Sequence, residues 1–90
     1  MLIQSRTTQF KRDVKLCEKR GRDLSKLKKV ILKLINEEPL DPKFRDHKLS
    51  QNYKDHRECH IEPDWLLIYR VDDKEILFVR TGTHSDLFKM

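Results

Sequence analysis

The sequence predicts an α+β fold in which two N-terminal helices pack on a small antiparallel β-sheet, with the elements in the order β-α-α-β-β-β. Apolar residues recur at helical spacing between residues 10 and 35, and from residue 53 onward they alternate or form short runs, as in strands. With 37% hydrophobic and 39% charged residues among 90 positions, the chain is expected to form one domain, residues 1–90, with a thin core.

The first strand and first helix are predicted from a short run and its neighbours. Residues Leu2–Arg6 can form an edge strand, and Thr7 or Thr8 can cap the helix that follows. Gly21 supplies the stop of this helix. Its apolar stripe consists of Phe10, Val14 and Cys17, with Leu16 beside them.

A longer apolar stripe predicts the second helix. It consists of Leu24, Leu27, Val30, Ile31, Leu34 and Ile35. Pro39 is expected to end this helix, and Glu37–Asn52 to form a loop. Lysines and arginines lie between the apolar positions of both helices, so a hairpin of two amphipathic helices would present them to solvent.

Three strands are predicted in the rest of the chain. The first has Tyr53, Arg57, Cys59 and Ile61 on one side, and His56, Glu58 and His60 on the other. Pro63-Asp64 ends it, and Trp65–Val71 is a nearly continuous apolar and aromatic second strand. Asp72-Asp73 turns the chain into Ile76–Val79, which Thr81-Gly82 ends. These strands form an antiparallel meander that the N-terminal strand can complete.

The net charge of +5 is unevenly distributed. Residues 1–33 carry 11 Lys and Arg against 3 Asp and Glu, a balance of +8, whereas residues 34–90 carry 9 against 12, a balance of −3. A basic half attracts a polyanion or an acidic protein. A solvated helix face would give the same balance.

Two features bear on the compartment. Cys17 and Cys59 match no zinc or redox spacing, so we expect two small buried side chains in a reducing cytosol rather than a disulfide. No apolar run has secretory or membrane-spanning length, so we expect a cytoplasmic protein without membrane contact.

The meander is expected to bring distant residues to one rim of the sheet. The first strand ends at His60, and the turn delivers Asp64 and Trp65. The third strand runs parallel to the first, so Arg80 comes out at the same end, with His84 just beyond. Two imidazoles, a carboxylate, a guanidinium and an indole are therefore predicted at one place.

These groups suit metal-free cleavage of RNA, which needs a base, an acid and positive charge at the phosphate. Histidine, with a reference pKa of about 6.5, fits both proton-transfer roles. Arg80 can bind phosphate oxygens, and Trp65 can stack on a base. Alternatively, Trp65 is a core aromatic and Arg80 pairs with Glu62. His56 and His60 would lie roughly 13 Å apart along a strand, too far to share a metal ion, so no cofactor is expected.

Two motifs resemble the YafQ branch of the RelE/ParE toxin superfamily. The segment His60–Tyr69 (HIEPDWLLIY) is similar to its signature hairpin, and Arg80–Phe88 (RTGTHSDLF) to its C-terminal motif. Phe10–Lys15 (FKRDVK) and Asp46-His47 add to the likeness, which covers nearly the whole chain.

The resemblance implies a RelE-like fold and a ribosome-dependent mRNA interferase, which cuts mRNA in the decoding site by attack of the 2′-hydroxyl on its own phosphate. It implies an active site of His47, His60, Asp64, Arg80 and His84, with Trp65 and Phe88 as substrate-binding aromatics. We expect His84 to be the general acid, Arg80 to bind the phosphate, and either His60 or Asp64 to be the base. His47 would contact substrate or assist proton transfer. Ribosomal RNA would be bound by Lys28, Lys29 and Lys33.

The implied partners are the ribosome, mRNA and a cognate antitoxin of the DinJ type. Such an antitoxin is dimeric and has a ribbon-helix-helix end that binds DNA. The toxin would contact operator DNA only through this antitoxin. Two other functions stay open: a ParE-like toxin that binds a protein target without RNA chemistry, and a basic RNA-binding module without catalysis. The four histidines and the Arg80–His84 motif argue against the ParE-like function.

Overall fold

A computed structural model of the chain describes residues 1–50 and 53–88. Its elements are β1 (Ile3–Arg6), α1 (Thr8–Lys19), α2 (Leu24–Ile35), a 3₁₀ turn (Pro42–Phe44), β2 (His47–Lys48), β3 (Arg57–Glu62), β4 (Trp65–Asp72), β5 (Glu75–Gly82) and α3 (His84–Phe88). The predicted α+β class, with two helices before the main strands, is confirmed. Among the described residues, no helix is long and apolar enough to cross a membrane.

Side-chain caps begin both long helices. Of the two candidate threonines, Thr7 caps α1, because its side chain accepts a hydrogen bond from the backbone of Phe10. Asp23 caps α2 in the same way. Gly21, at a φ of +83°, turns the chain after α1 as predicted.

The end of α2 differs from the prediction. The helix ends at Ile35 rather than at Pro39, because Glu37 adopts a left-handed φ of 57°. The backbone N–H of Glu38 then bonds to the carbonyl of Lys33 at 2.9 Å, which satisfies a free carbonyl of the last turn.

The sheet has five strands in the order β1-β5-β4-β3-β2. Strands β3, β4 and β5 form the predicted antiparallel meander. Strand β1 completes it but runs parallel to β5, so the sheet is mixed and not purely antiparallel as predicted. A parallel neighbour requires a long crossover connection, which the intervening helices and strands supply.

Three short elements were not predicted. The expected loop Glu37–Asn52 contains the 3₁₀ turn and β2, which pairs with β3 by two residues; its last two positions, Gln51 and Asn52, lie outside the described residues. Helix α3 follows β5 directly. Segments of two to five residues are too short to show a hydrophobic period.

Apolar side chains form one cluster on each face of the sheet. The main core lies where α1 and α2 pack and contains both cysteines, which are buried and free as expected. A smaller cluster of Leu66, Ile68 and Leu87 lies on the opposite side, which we call the open face. Tyr53 packs against this smaller cluster and not with Cys59 and Ile61 as predicted, because β3 begins only at Arg57.

A candidate active site on the open face

Strand register places three of the predicted site residues on the open face. Directly opposite residues of antiparallel neighbours point to the same side of a sheet. One row across the strands is His47, Glu58, Ile68 and Arg80, and the next is His60, Leu66 and Gly82. Since Leu66 and Ile68 belong to the open-face cluster, both rows lie on the open face. The side chain of Arg80 extends from there around the part of β5 that β1 does not cover, toward α1.

Three imidazole rings lie together there. The ring centre of His60 is 6.2 Å from that of His47 and 5.8 Å from that of His84. His60 is the central and least exposed of the three, with 13% of its side chain exposed. His56 packs instead against Tyr53, at 5.8 Å between ring centres.

A buried carboxylate, Glu58, lies between two of these rings. Its Oε1 is 3.5 Å from Nε2 of His47 and 3.4 Å from Nε2 of His60, and its side chain is 6% exposed. The Nδ1 atoms of these rings face the carbonyl oxygens of Arg45, at 2.6 Å, and Pro63, at 3.3 Å. Because a carbonyl only accepts, this network assigns the hydrogen to Nδ1. A proton taken up on either Nε2 would then lie beside Glu58.

Asp64 and His84 form a hydrogen-bonded pair. Oδ1 of Asp64 accepts from the backbone N–H of His84 at 2.9 Å and from its Nδ1 at 2.6 Å. These bonds, the backbone one first, lower the pKa of Asp64, so its carboxylate is ionised at neutral pH. The ring nitrogen of His84 that remains for proton exchange with a substrate is Nε2.

Helix α3, which carries His84, is fixed by Asp86. This carboxylate accepts from Nη1 of Arg20 at 2.7 Å and from the backbone N–H of Thr83 at 2.9 Å. The bond from Arg20 is the main reason why the pKa of Asp86 falls to about 2. A Cβ at Gly82 would lie 2.9 Å from Oδ2 of Asp86, so this close approach requires glycine.

Arg80 is held from the side of α1. Its Nε donates to Oδ2 of Asp13 at 2.7 Å and its Nη2 to Oδ1 at 3.2 Å, and this pairing raises the pKa of Arg80. Asp13 is 5% exposed and also accepts from the backbone of Thr81 at 3.1 Å. By strand pairing, the backbone of Arg80 lies two strands from that of Glu58, a separation of about 10 Å.

Two expectations about neighbouring side chains are corrected. Trp65 has no exposed surface and its Nε1 donates to Oγ1 of Thr81 at 3.0 Å, so it is a core residue and offers no face to a base. The alternative pairing of Arg80 with Glu62 does not occur, because Glu62 binds Arg22 at 3.1 Å.

The other predicted substrate residues lie at two places. Phe88, at the end of α3, meets Tyr53 edge-on at 5.9 Å between ring centres and packs against the open-face cluster. Lys28, Lys29 and Lys33 are exposed on α2, and Lys29 lines a groove that also includes His60.

Two buried carboxylates of the site were not predicted. Glu58 lies on the same face of β3 as His60, which was a usable signal that it belongs to the site. Its burial next to His47 depends on β2, which the sequence does not reveal. Asp13 lies three residues after Phe10 and four before Cys17, on the buried face of α1. This spacing was a usable signal that it faces the sheet, but its partner Arg80 depends on the tertiary fold. Within residues 1–50 and 53–88, no group of three or more His, Cys, Asp or Glu could hold a metal ion.

Comparisons with known proteins agree in fold and sequence. Residues 3–89 match the family described as "Bacterial toxin of type II toxin-antitoxin system, YafQ". The "mRNA interferase toxin YafQ" of Escherichia coli (strain B / BL21-DE3) is 49% identical over 81 residues, which is 89% of this chain and 88% of that protein. A chain of the E. coli DinJ–YafQ complex superposes with a TM-score of 0.92 at 45% identity, covering 98% of this chain and 99% of that one. A copper-bound mutant toxin from Helicobacter pylori also gives a TM-score of 0.92 at 45% identity, covering 98% and 100%.

Proposed function

Because the chain belongs to the YafQ family of type II toxin–antitoxin toxins, we propose that it is an mRNA interferase, an endoribonuclease that cuts messenger RNA on the ribosome. Cleavage proceeds by attack of the 2′-hydroxyl on its own phosphate, without a metal or other cofactor. The observation that carries the proposal is the Asp64–His84 pair, whose imidazole lies beside His60 on the open face.

His84 is the general acid in this proposal. Asp64 holds its Nδ1 as a donor, so the proton for the leaving 5′-oxygen is on Nε2. Asp64 is therefore a positioning residue that also stabilises the charged ring, the role that a carboxylate has beside histidine in hydrolytic triads. Unlike a triad carboxylate, its side chain is 62% exposed.

His60 is the better candidate for the base, because the hydrogen bonds from His84 lower the pKa of Asp64 and so weaken its carboxylate as a proton acceptor. With Nδ1 of His60 facing a carbonyl, Nε2 takes the proton of the 2′-hydroxyl, and Glu58 offsets the new charge. The 3.4 Å between Nε2 and Glu58 exceeds the roughly 2.7–2.9 Å of a charge-assisted bond, so no such bond to Glu58 occupies this nitrogen. His47 shares Glu58 and assists.

Substrate binding is assigned to Arg80, Phe88 and the lysines of α2. Arg80 donates two N–H groups to Asp13, and its other N–H groups can donate to the phosphate, where negative charge develops. Phe88 presents a half-buried ring at the edge of the open face. Lys28, Lys29 and Lys33 bind ribosomal RNA through their charge.

The partners are proposed on the basis of the family. The matching E. coli structure is a complex of DinJ with YafQ, and we propose a cognate antitoxin of the DinJ type for this chain. Operator DNA is contacted only through this antitoxin. Because ribosomes are cytoplasmic, we propose that the protein acts in the cytoplasm. We also propose that residues 1–90 act as one domain.

The test is primer extension on mRNA in a translating extract. We expect codon-phased cuts with 5′-hydroxyl ends for the natural protein. His84→Ala should slow cutting by roughly 10²–10⁴-fold because the proton donor is gone. Arg80→Ala should also abolish the cuts, whereas His56→Ala, a histidine outside the cluster, should cut normally. Normal cutting by His84→Ala would remove it from the mechanism. An uncut message with the natural protein would favour a ParE-like or purely RNA-binding function.

A further inference from the structure

A basic groove lies beside the histidine cluster, between α2 and the 3₁₀ turn, with a volume of about 600 Å³. Lys26 and Lys29 line it from α2, and Lys43 and Arg45 line it from the other side. His60 is also a lining residue, so the groove and the candidate active site share a side chain.

The positive charge of this groove is largely uncompensated. Glu62 lines it too, but accepts hydrogen bonds from Lys26 at 2.8 Å and Arg22 at 3.1 Å, which lower its pKa and offset its charge. Within the described part of the chain, three lining cations form no ion pair: Lys29, Lys43 and Arg45. A concave surface with one sign of charge focuses the field and attracts a polyanion.

The size and lining of the groove suit a nucleotide. Pockets that hold small ligands have volumes of about 300–1,000 Å³. Phe44 is half-buried in the wall, with Nζ of Lys43 at 5.3 Å from its ring centre. Aromatic rings beside cations are the combination on which single-stranded nucleic acids are bound.

We propose that this groove binds the segment of messenger RNA next to the cut, with Lys43 and Arg45 on its backbone phosphates and one base beside Phe44. The inference rests on the proposed endoribonuclease function and adds the path of the strand. An RNA strand fits better than an acidic protein segment, because the groove leads to His60, a residue assigned to the chemistry.

Photocrosslinking tests the path directly. Ribosomes would carry an mRNA with 2′-O-methyl at the cut nucleotide, which blocks the attack, and 4-thiouridine at successive flanking positions. We expect crosslinks from neighbouring positions on one side of the cut to the peptide that contains Lys43, Phe44 and Arg45. Crosslinks that avoid this peptide at every position would overturn the proposal.

A charge-matched pair of variants tests the energetics. Lys43→Ala/Arg45→Asn removes two cations, and asparagine tolerates the left-handed φ of 49° at residue 45. Arg70→Ala/Lys74→Ala removes two exposed cations near the turn between β4 and β5. We expect the groove variant to raise the KM for ribosome-bound mRNA about tenfold, with kcat unchanged and a weaker salt dependence. The control should match the natural protein.

Other outcomes are separable. Equal KM changes in both variants would mean that only the overall positive charge of the protein matters, and would overturn the inference. Normal cleavage with weakened antitoxin binding would assign the groove to an acidic segment of that partner instead. Should the natural protein cut nothing while the crosslinks still map to the groove, the endoribonuclease function would fail and the RNA path would stand.

Discussion

Glu58 gives the histidine cluster its electrostatic organisation. It is a buried carboxylate placed within 3.5 Å of Nε2 on both His47 and His60. An ionised carboxylate at this distance favours positive charge on its neighbours. Glu58 therefore stabilises a proton that arrives on Nε2 of either ring during the reaction.

Replacing Glu58 with glutamine should slow cleavage by about 10–100-fold. The variant would lose the charged hydrogen bond that forms when Nε2 takes up a proton. Such a bond contributes about 1.5–3 kcal/mol, and each 1.36 kcal/mol of barrier is a factor of ten. The measurement is single-turnover cleavage on ribosomes as a function of pH, together with the side-chain ¹⁵N shifts of the histidines.

The control for this substitution is Glu75→Gln. Glu75 is an exposed carboxylate at the start of β5, at the other end of this strand from Arg80. A merely structural Glu58 would leave the pH profile unchanged and shift no histidine selectively. The positioning role requires that the Nε2 signals of His47 and His60 move while those of His56 stay.

At the scale of the element, β4 shows how the core supports the site. Trp65 and Leu67 point into the main core, and Leu66 and Ile68 point to the open face. The hydroxyl of Thr81 accepts from the indole of Trp65 and donates to the carbonyl of Leu66 at 2.7 Å. This link fixes the start of β4 against the end of β5, from which His84 follows.

The substitution Trp65→Phe should lower the free energy of unfolding by about 1–3 kcal/mol, through a lost hydrogen bond and a small cavity. Cleavage per folded molecule should keep its KM, because Trp65 has no exposed surface. Urea unfolding and ribosome-based kinetics measure the two effects. A raised KM with unchanged stability would instead restore the base-stacking role.

The exposed lysines of α2 allow ribosome binding to be tested apart from mRNA binding. Replacing Lys28, Lys29 and Lys33 together with alanine should weaken association with ribosomes that carry no mRNA, because about three phosphate contacts would be lost. Cosedimentation at several salt concentrations measures this, and the variant should show a shallower salt dependence. Lys11→Ala/Lys15→Ala/Lys19→Ala on α1 is the matched control. Unchanged cosedimentation of the α2 variant would assign these lysines to solubility or antitoxin contact.

The long elements were predictable and the short ones were not. The stripes of α1 and α2 and the runs of β3, β4 and β5 carry periods that survive in the structure. Strand β2 consists of two residues held by pairing with β3, a tertiary cause with no local pattern. This explains why His47 was expected at the site only from family likeness, and why the burial of Glu58 was missed.

At the scale of the whole molecule, topology alone predicted the meeting of His60, Asp64 and His84. An antiparallel meander returns its third strand to the end of its first, whatever the side chains are. Side-chain partners were beyond this reasoning. Arg80 pairs with Asp13, 67 positions away, because β1 stops at Arg6 and leaves the last part of β5 facing α1.

The bond between Arg20 and Asp86 ties the first helix to the last across 66 positions, and it should make stability depend on pH. The pKa of Asp86 is lowered from 3.8 to about 2, so its stabilisation is complete above about pH 5 and is lost progressively as the pH falls through 2. Asp86→Asn should therefore cost about 1 kcal/mol at pH 7, after allowance for solvent screening, and less at pH 3. Urea unfolding at both pH values measures this, with Asp73→Asn in the β4–β5 turn as control. An equal cost at both pH values would mean that Asp86 acts through its shape and not through its charge.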